Sequence, residues 1–522
     1  MAQLLHSLIR NSAEQTPLAK ALLFKNIVLD YTQLWQAVDQ TANGLSRLGV
    51  RKNQRVAIYL PKQPESVISF FAISAAGGVF VPINPILKPE QVAYILRDCD
   101  VSVLITSSTR ANLLQDDLKQ CPSLSHLVLV DGNESSTEIE TLSFEHLAEQ
   151  TSRPESNRID ADMAAILYTS GSTGQPKGVV LSHVNILTGA QSVCEYLHNT
   201  PEDILLAVLP FSFDYGLSQL TTAFAAGASV VLMDYLLPRD VIRAVSRYGI
   251  TGLAAVPPLW NQLASLEWPD EAKSSLRYLT NSGGAMPLTT TTHLQQALPN
   301  TAIYLMYGLT EAFRSTYLEP NEVTRRPDSM GKAIPNAEVM VVRPDGSECN
   351  VDEPGELVHR GALVSLGYWN DKEKTAKHFK SAPGQPEGLV IPEIAVWSGD
   401  QVRRDAEGFY YFISRNDEMI KTSGYRVSPG EIEEVVLTLE TIHQAIAFAA
   451  PHPMLGQGIV LLAQADCDAD QILSHCRVHL PMYMLPGRIE ILKDLPRNAN
   501  GKIDRKPLSV QYQDSFIKSG TS

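Results

Sequence analysis

What this 522-residue chain has little of is the first guide to its function. Six cysteines (Cys99, Cys121, Cys194, Cys349, Cys467 and Cys476) are scattered with no close pair. Neither a disulfide framework nor a zinc cluster is indicated, and a reducing cytoplasm is the expected setting. Positive charge is also scarce: 43 Lys and Arg against 57 Asp and Glu leave a formal charge of −14. With no basic run to offset it, this argues against nucleic acid or an anionic membrane face as partner. The longest apolar stretch, "VISFFAISAAGGVFVPI", is broken by Gly77, Gly78 and Pro82 and is short of a membrane span, so it reads as a buried helix running into a strand. Internal repeats and low-complexity tracts are missing as well. The opening "MAQLLHSLIRNSAEQTP" lacks the layout of a signal peptide and reads as an amphipathic helix.

What is present is a long series of short, β-branched apolar runs: "RVAIYL", "VSVLIT", "HLVLV", "AAILYTS", "ASVVLMDY", "ITGLAAVPP" and "TAIYLMYG". They alternate with helical patterns, which predicts doubly wound parallel sheets, and the length calls for more than one. From about Ala333 the texture changes. Asp345-Gly346 and Pro354-Gly355 in "AEVMVVRPDGSECNVDEPGELVHRG" mark the reversals of antiparallel strands. The polar stretch from Glu149 to Met163 reads as a linker within the large region.

The densest chemical signal is "YTSGSTGQPKGVV", Tyr168 to Val180. A strand runs into a loop crowded with backbone NH groups and hydroxyls, and Lys177 adds a point charge, a combination that can wrap an oxyanion such as a triphosphate. It does not end in Gly-Lys-Ser/Thr, so the Walker-type NTPases are excluded. "SGSTG" also lacks the Gly-x-Ser-x-Gly spacing of a nucleophilic serine. His475 and His479 share a helical face at metal-like spacing, but no glutamate accompanies them as in a zinc peptidase, so they read as solvated.

Five further motifs follow in order: "NSGGAMP" (281–287), "MYGLTEA" (306–312), "WSGD" (397–400), "SRNDEMIKTSGYRVSPGEIEEVV" (414–436) and "LPRNANGKIDR" (495–505). With these, the chain resembles the AMP-forming adenylating superfamily of acyl-CoA synthetases, peptide-synthetase adenylation domains and luciferases. The resemblance covers nearly its whole length. It implies an α/β fold: a large N-terminal domain (1–416) with two doubly wound, mainly parallel sheets and a distorted β-barrel, then a small mobile α+β domain (417–522). The implied reaction joins a carboxylate to ATP as an acyl-adenylate, releasing pyrophosphate. Transfer to a pantetheine thiol, of CoA or of an acyl or peptidyl carrier protein, then releases AMP.

The same resemblance assigns roles. Thr169, Ser170, Gly171, Ser172, Thr173, Gly174 and Lys177 would hold the β- and γ-phosphates. Thr310 would touch the α-phosphate and Glu311 would bind Mg²⁺. Tyr307, followed by Gly308, would stack on adenine alongside Gly283, Gly284 and Ala285. Asp400 would take the ribose hydroxyls, as an acceptor-only carboxylate can, and Arg415 would add a ribose or phosphate contact. Lys502 would be the mobile catalytic cation, Asp417 the hinge, and Gly424 the gap for a pantetheine arm. Ser414 departs from the glycine usual before the arginine.

The choice of acid turns on "LPFSFDYGLSQL". By the resemblance, Phe213 falls where acyl-CoA synthetases gate the acyl pocket, lined also by Gly284. Asp214 falls where amino-acid adenylation domains bind the substrate's ammonium. A helix cap by Asp214 is the equal alternative, so both a plain acid and an amino acid loaded onto a stand-alone carrier stay open. A luciferase-like monooxygenase is the distant one. "YGLTEAFRSTYL" resembles stand-alone loading enzymes and the acyl ligases found near exosortase-type export systems.

Overall fold

The computed structural model describes residues 4–132, 137–148, 157–169, 176–415, 419–493, 495 and 505–517. Ser170, Gly171, Ser172, Thr173, Gly174, Asp417 and Lys502 therefore lie outside the described residues, as does most of the expected 149–163 linker.

The apolar runs fold as their pattern predicts. "VISFFAISAA" forms most of the helix Pro64–Ala76, which is buried on every face. Pro64 starts it, and Gly77, at φ 92°, ends it in the left-handed region that a glycine occupies without a Cβ clash. The chain then enters the strand Val79–Pro82. That strand belongs to a seven-stranded sheet that is parallel except where Met163–Thr169 turns back as Lys177–Ser182. Strands such as Val103–Thr106 are buried throughout, as expected where helices cover both faces.

A second sheet contains the parallel strands Ile204–Ala207, Ser229–Leu232, Gly252–Ala255, Tyr278–Asn281 and Ala302–Tyr307. Beyond Tyr307 its neighbours become antiparallel, starting with Thr316–Leu318, and the ladder continues through Ala337–Val342, Gly355–Gly361 and Ile394–Arg404 to make fourteen strands in all. Both reversals read from Asp345-Gly346 and Pro354-Gly355 lie between the first two of these. A separate five-stranded sheet carries the hairpin Ile420–Thr422/Tyr425–Val427 and the long pair Ile442–His452/Gly456–Ala465, and it encloses its own apolar cluster around Ile420, Ile432 and Leu461.

The opening amphipathic stretch forms the helix Ser7–Gln15. All six cysteines are free thiols. No helix among the described residues is long and apolar enough to cross a membrane.

Candidate active site

The strand Ala302–Tyr307 delivers the site's central segment. It ends at Tyr307, passes Gly308 and Leu309, and tightens into a 3₁₀ turn over Thr310–Ala312. Glu311 is thereby turned inward and is 5% exposed. Lys177, first residue of its strand, reaches it from the other sheet: Nζ donates to Glu311 Oε1 at 2.7 Å and to the Tyr368 hydroxyl at 2.9 Å. Tyr368 in turn donates to the same carboxylate oxygen at 2.7 Å, closing a buried triangle. Burial alone would raise the Glu311 carboxyl, but Lys177, Arg426 and the two hydrogen bonds hold it below the usual carboxylate range. Burial also lowers Lys177, against the pull of Glu311.

A second pair lies alongside. The Tyr307 hydroxyl donates to Asp400 Oδ2 at 2.5 Å, and the Asp400 backbone lies opposite that of Arg415 in the register of adjacent strands. The expected adenine and ribose residues are thus in contact with each other. The glycine turn contributes Gly283 at φ 79°, held by Asn281 Nδ2 donating to the Gly284 carbonyl at 2.9 Å; Ala285 follows.

Thr169, Phe213, Asp214, Gly283, Thr310 and Glu311 line one cavity. Thr169 Oγ1 is buried there with no partner among the described residues. Asp214 does not cap a helix. The helix spans Asp214–Ala226 with Phe213 at the cap position and no side-chain cap bond, which corrects the capping alternative. Instead its Oδ1 accepts from Thr310 Oγ1 at 3.2 Å. Burial raises the Asp214 carboxyl, with Arg314 and Thr310 opposing.

The C-terminal hairpin forms the opposite wall. Ser423 and Gly424, at φ 53° and 81°, make its turn. A Cβ on Gly424 would lie 2.8 Å from Val256 Cγ2, so the backbone approaches as only glycine allows. Tyr425 meets Phe213 edge-on at 5.1 Å and stacks on Tyr483 at 3.8 Å. Gln91 Nε2 donates to Glu431 Oε1 at 3.0 Å, tying the two halves together. Sequence reasoning missed Tyr368, Arg426, Tyr425 and Glu431. The first three had a signal in "LGYW" and "SGYR", but nothing local marks Glu431 as an interdomain contact.

No group of three or more His, Cys, Asp or Glu side chains among the described residues is arranged to hold a metal ion. A lone carboxylate still suits Mg²⁺, which takes one or two protein carboxylates and fills its shell from phosphates and water. Glu311, with Thr310 beside it, is a buried carboxylate on this cavity's lining. His475 bonds Thr438 and the Val435 carbonyl, away from this cavity's lining.

A model of the AMP-binding enzyme family matches residues 9–369, and one of the AMP-binding enzyme C-terminal domain matches residues 431–502. The chain belongs to the AMP-binding enzyme family. It is 29% identical over 524 residues to an L-proline–[L-prolyl-carrier protein] ligase of Pseudomonas fluorescens, covering 98% of this chain and 100% of the relative. It is 30% identical over 498 residues, 95% of its length, to a linear gramicidin synthase of Brevibacillus parabrevis. Of that synthase and the other large peptide synthases it matches, however, the chain spans only 6% to 21%. A solved anthranilate CoA ligase in complex with anthranoyl-AMP superposes with a TM-score of 0.73 at 26% identity, covering 98% of each chain.

Proposed function

We propose that this protein joins a carboxylic acid to a pantetheine thiol through an acyl-adenylate. The observation that carries the reading is the shared cavity: Thr169, Thr310 and Glu311 from one half and Gly424 and Tyr425 from the other line the same space. A carboxylate oxygen attacks the α-phosphorus of ATP, forming the mixed anhydride as the bond to pyrophosphate breaks. The thiol sulfur then attacks the acyl carbon, and AMP leaves with the electrons of the broken C–O bond.

Lys177 offsets charge on the departing phosphates, and Lys502 does the same at the reacting oxygens. Glu311 and Thr310 would hold Mg²⁺, which supplies charge neutralisation when bound. With the cation and triphosphate bound, Lys177 and Glu311 would each leave their mutual hydrogen bond for a new partner. Tyr307 and Asp400 likewise open toward adenine and ribose. Gly424 leaves the passage for the pantetheine arm, and Asp417 is the hinge about which residues 417–522 turn.

A second reading has its own support. Asp214 faces the cavity and accepts one hydroxyl hydrogen bond, so an ammonium on the substrate would complete it. The ligand would then be an amino acid and the acceptor a carrier protein.

The test is product analysis with ATP, Mg²⁺ and a panel of plain and amino acids, with CoA or a phosphopantetheinylated carrier added separately. Pyrophosphate and AMP in equal amounts, with a hydroxylamine-trappable intermediate and a thioester, are expected. ADP as the nucleotide product would overturn the reading.

A further inference from the structure

The acyl side of the cavity contains a charge that adenylation does not use. Arg314 is 1% exposed, yet it belongs to the cavity lining. Of its five donors, Nη1 alone bonds a described residue, Ser282 Oγ at 3.3 Å, and Nε is buried with no partner among them. Its guanidinium lies over the Tyr215 ring at 4.7 Å. Asp214 is close enough to feel its charge, but among the described residues no ion pair joins Arg314 to any carboxylate. A buried guanidinium in this state is costly unless something enters to pair with it.

The backbone is bent to put it there. Phe313, a non-glycine residue, sits at φ 56°, ψ −53°, and Arg314 N donates to the Ala312 carbonyl at 2.5 Å. This is a γ-turn of the strained hand, a conformation that persists only where the surrounding structure enforces it. Packing enforces it. Phe313 is wholly buried, and its ring occupies the space a Cβ on Gly189 would need, 2.3 Å away. Gly308 in turn leaves room for the Arg314 backbone, which would come within 3.2 Å of a Cβ there. A strained turn held by two glycine vacancies presents one arginine to the substrate cavity.

We infer that Arg314 is a specificity-determining residue that binds a second carboxylate on the acid being activated, so that the substrate carries an anionic group besides the one that reacts. A planar guanidinium can take a carboxylate through two parallel hydrogen bonds, which the open donors allow. Asp214, flanking the same space, adds a place for an ammonium on the same molecule. The inference rests on the adenylation reading above.

The experiment is a matched panel at several chain lengths, for example pentanoate, glutarate, norvaline and glutamate, assayed for pyrophosphate release with wild type, Arg314→Lys and Arg314→Met. Wild type should favour the dicarboxylates in kcat/KM by about a hundredfold, the scale of a desolvated charge pair. That ratio should shrink toward one in Arg314→Met, mainly through KM, and be partly restored in Arg314→Lys. A purely structural arginine would depress all acids together and leave the ratio unchanged, which would overturn the inference. So would a wild-type enzyme indifferent to the second carboxylate. If no acid releases pyrophosphate, the adenylation reading fails on its own. Thermal stabilisation by the same acids then decides about Arg314: stabilisation by glutarate over pentanoate that is lost in Arg314→Met supports it, and equal shifts in both proteins refute it.

Discussion

On the N-terminal side of the cavity, Lys177, Glu311 and Tyr368 bond one another in a buried triangle, and Tyr307 holds Asp400 in the same way. The C-terminal side meets the cavity through the Ser423–Gly424 turn, with Gly424 close against Val256, Tyr425 edge-on to Phe213, and Arg426 lining the same space. The Lys177–Glu311–Tyr368 and Tyr307–Asp400 groups of the first wall satisfy one another and have to exchange partners when a ligand arrives. Among the described residues, the second is held to the first by few polar contacts of the kind Gln91 makes with Glu431, and under the proposed domain motion these are the contacts that would be released. Substitutions on the first wall should therefore cost stability and activity together, and those on the second should separate the two half-reactions.

Glu311→Gln is the strongest attack on the first wall. It leaves Lys177 buried without its counter-charge, a loss of roughly 3 kcal/mol in unfolding free energy by the usual cost of breaking a buried pair. Adenylation should fall by about 10²–10³-fold as well. Urea denaturation alongside pyrophosphate release checks both, and an activity loss with unchanged stability would show that the triangle contributes nothing to the fold.

Substitutions in the C-terminal part of the chain should behave differently. Lys502→Ala is expected to lower adenylation by about 10²-fold while thioester formation from supplied acyl-AMP continues. Gly424→Leu is expected to do the reverse, since a side chain there meets Val256 and the positive φ disfavours it. Single-turnover assays of the two steps measure the split. Equal damage to both steps in either variant would erase the proposed division of labour.

How much of this was legible beforehand depended on whether the signal was local. Parallel strands announce themselves because burial on both faces demands unbroken apolar runs such as "VSVLIT". The 310–311 and 177 positions were legible from motif order, since each sits where a turn or loop places a charge. The fate of Asp214 was not. Whether a carboxylate caps its helix or faces a cavity depends on one residue of helix offset, and the partner that decided it, Thr310, is distant in sequence. Arg314 was hidden for a related reason: nothing local in "AFRSTYL" marks the arginine, and only the inverted backbone at Phe313 brings it to the cavity lining.

The effect expected to reach catalysis least bears on how the second wall is held. Glu431 is 8% exposed, accepts from Gln91, and has Oε2 buried without a partner among the described residues. Burial, countered by Gln91 and reinforced by Glu434, pushes its carboxyl from 4.5 up to about 7. A carboxyl raised on docking keeps its proton in the docked state after the undocked state has lost it, so docking takes up a proton between pH 4.5 and about 7. The docked arrangement should thus weaken as pH rises through that window and level off above it, by at most about 3 kcal/mol. Glu431→Gln keeps the hydrogen-bonding geometry and removes the charge, so its docking should be flat across the same range. Fluorescence transfer between labels on the two halves, followed from pH 5 to 9, reads this directly. If the wild-type curve and the Gln curve coincide, the pH control lies elsewhere, and the two walls differ in geometry alone.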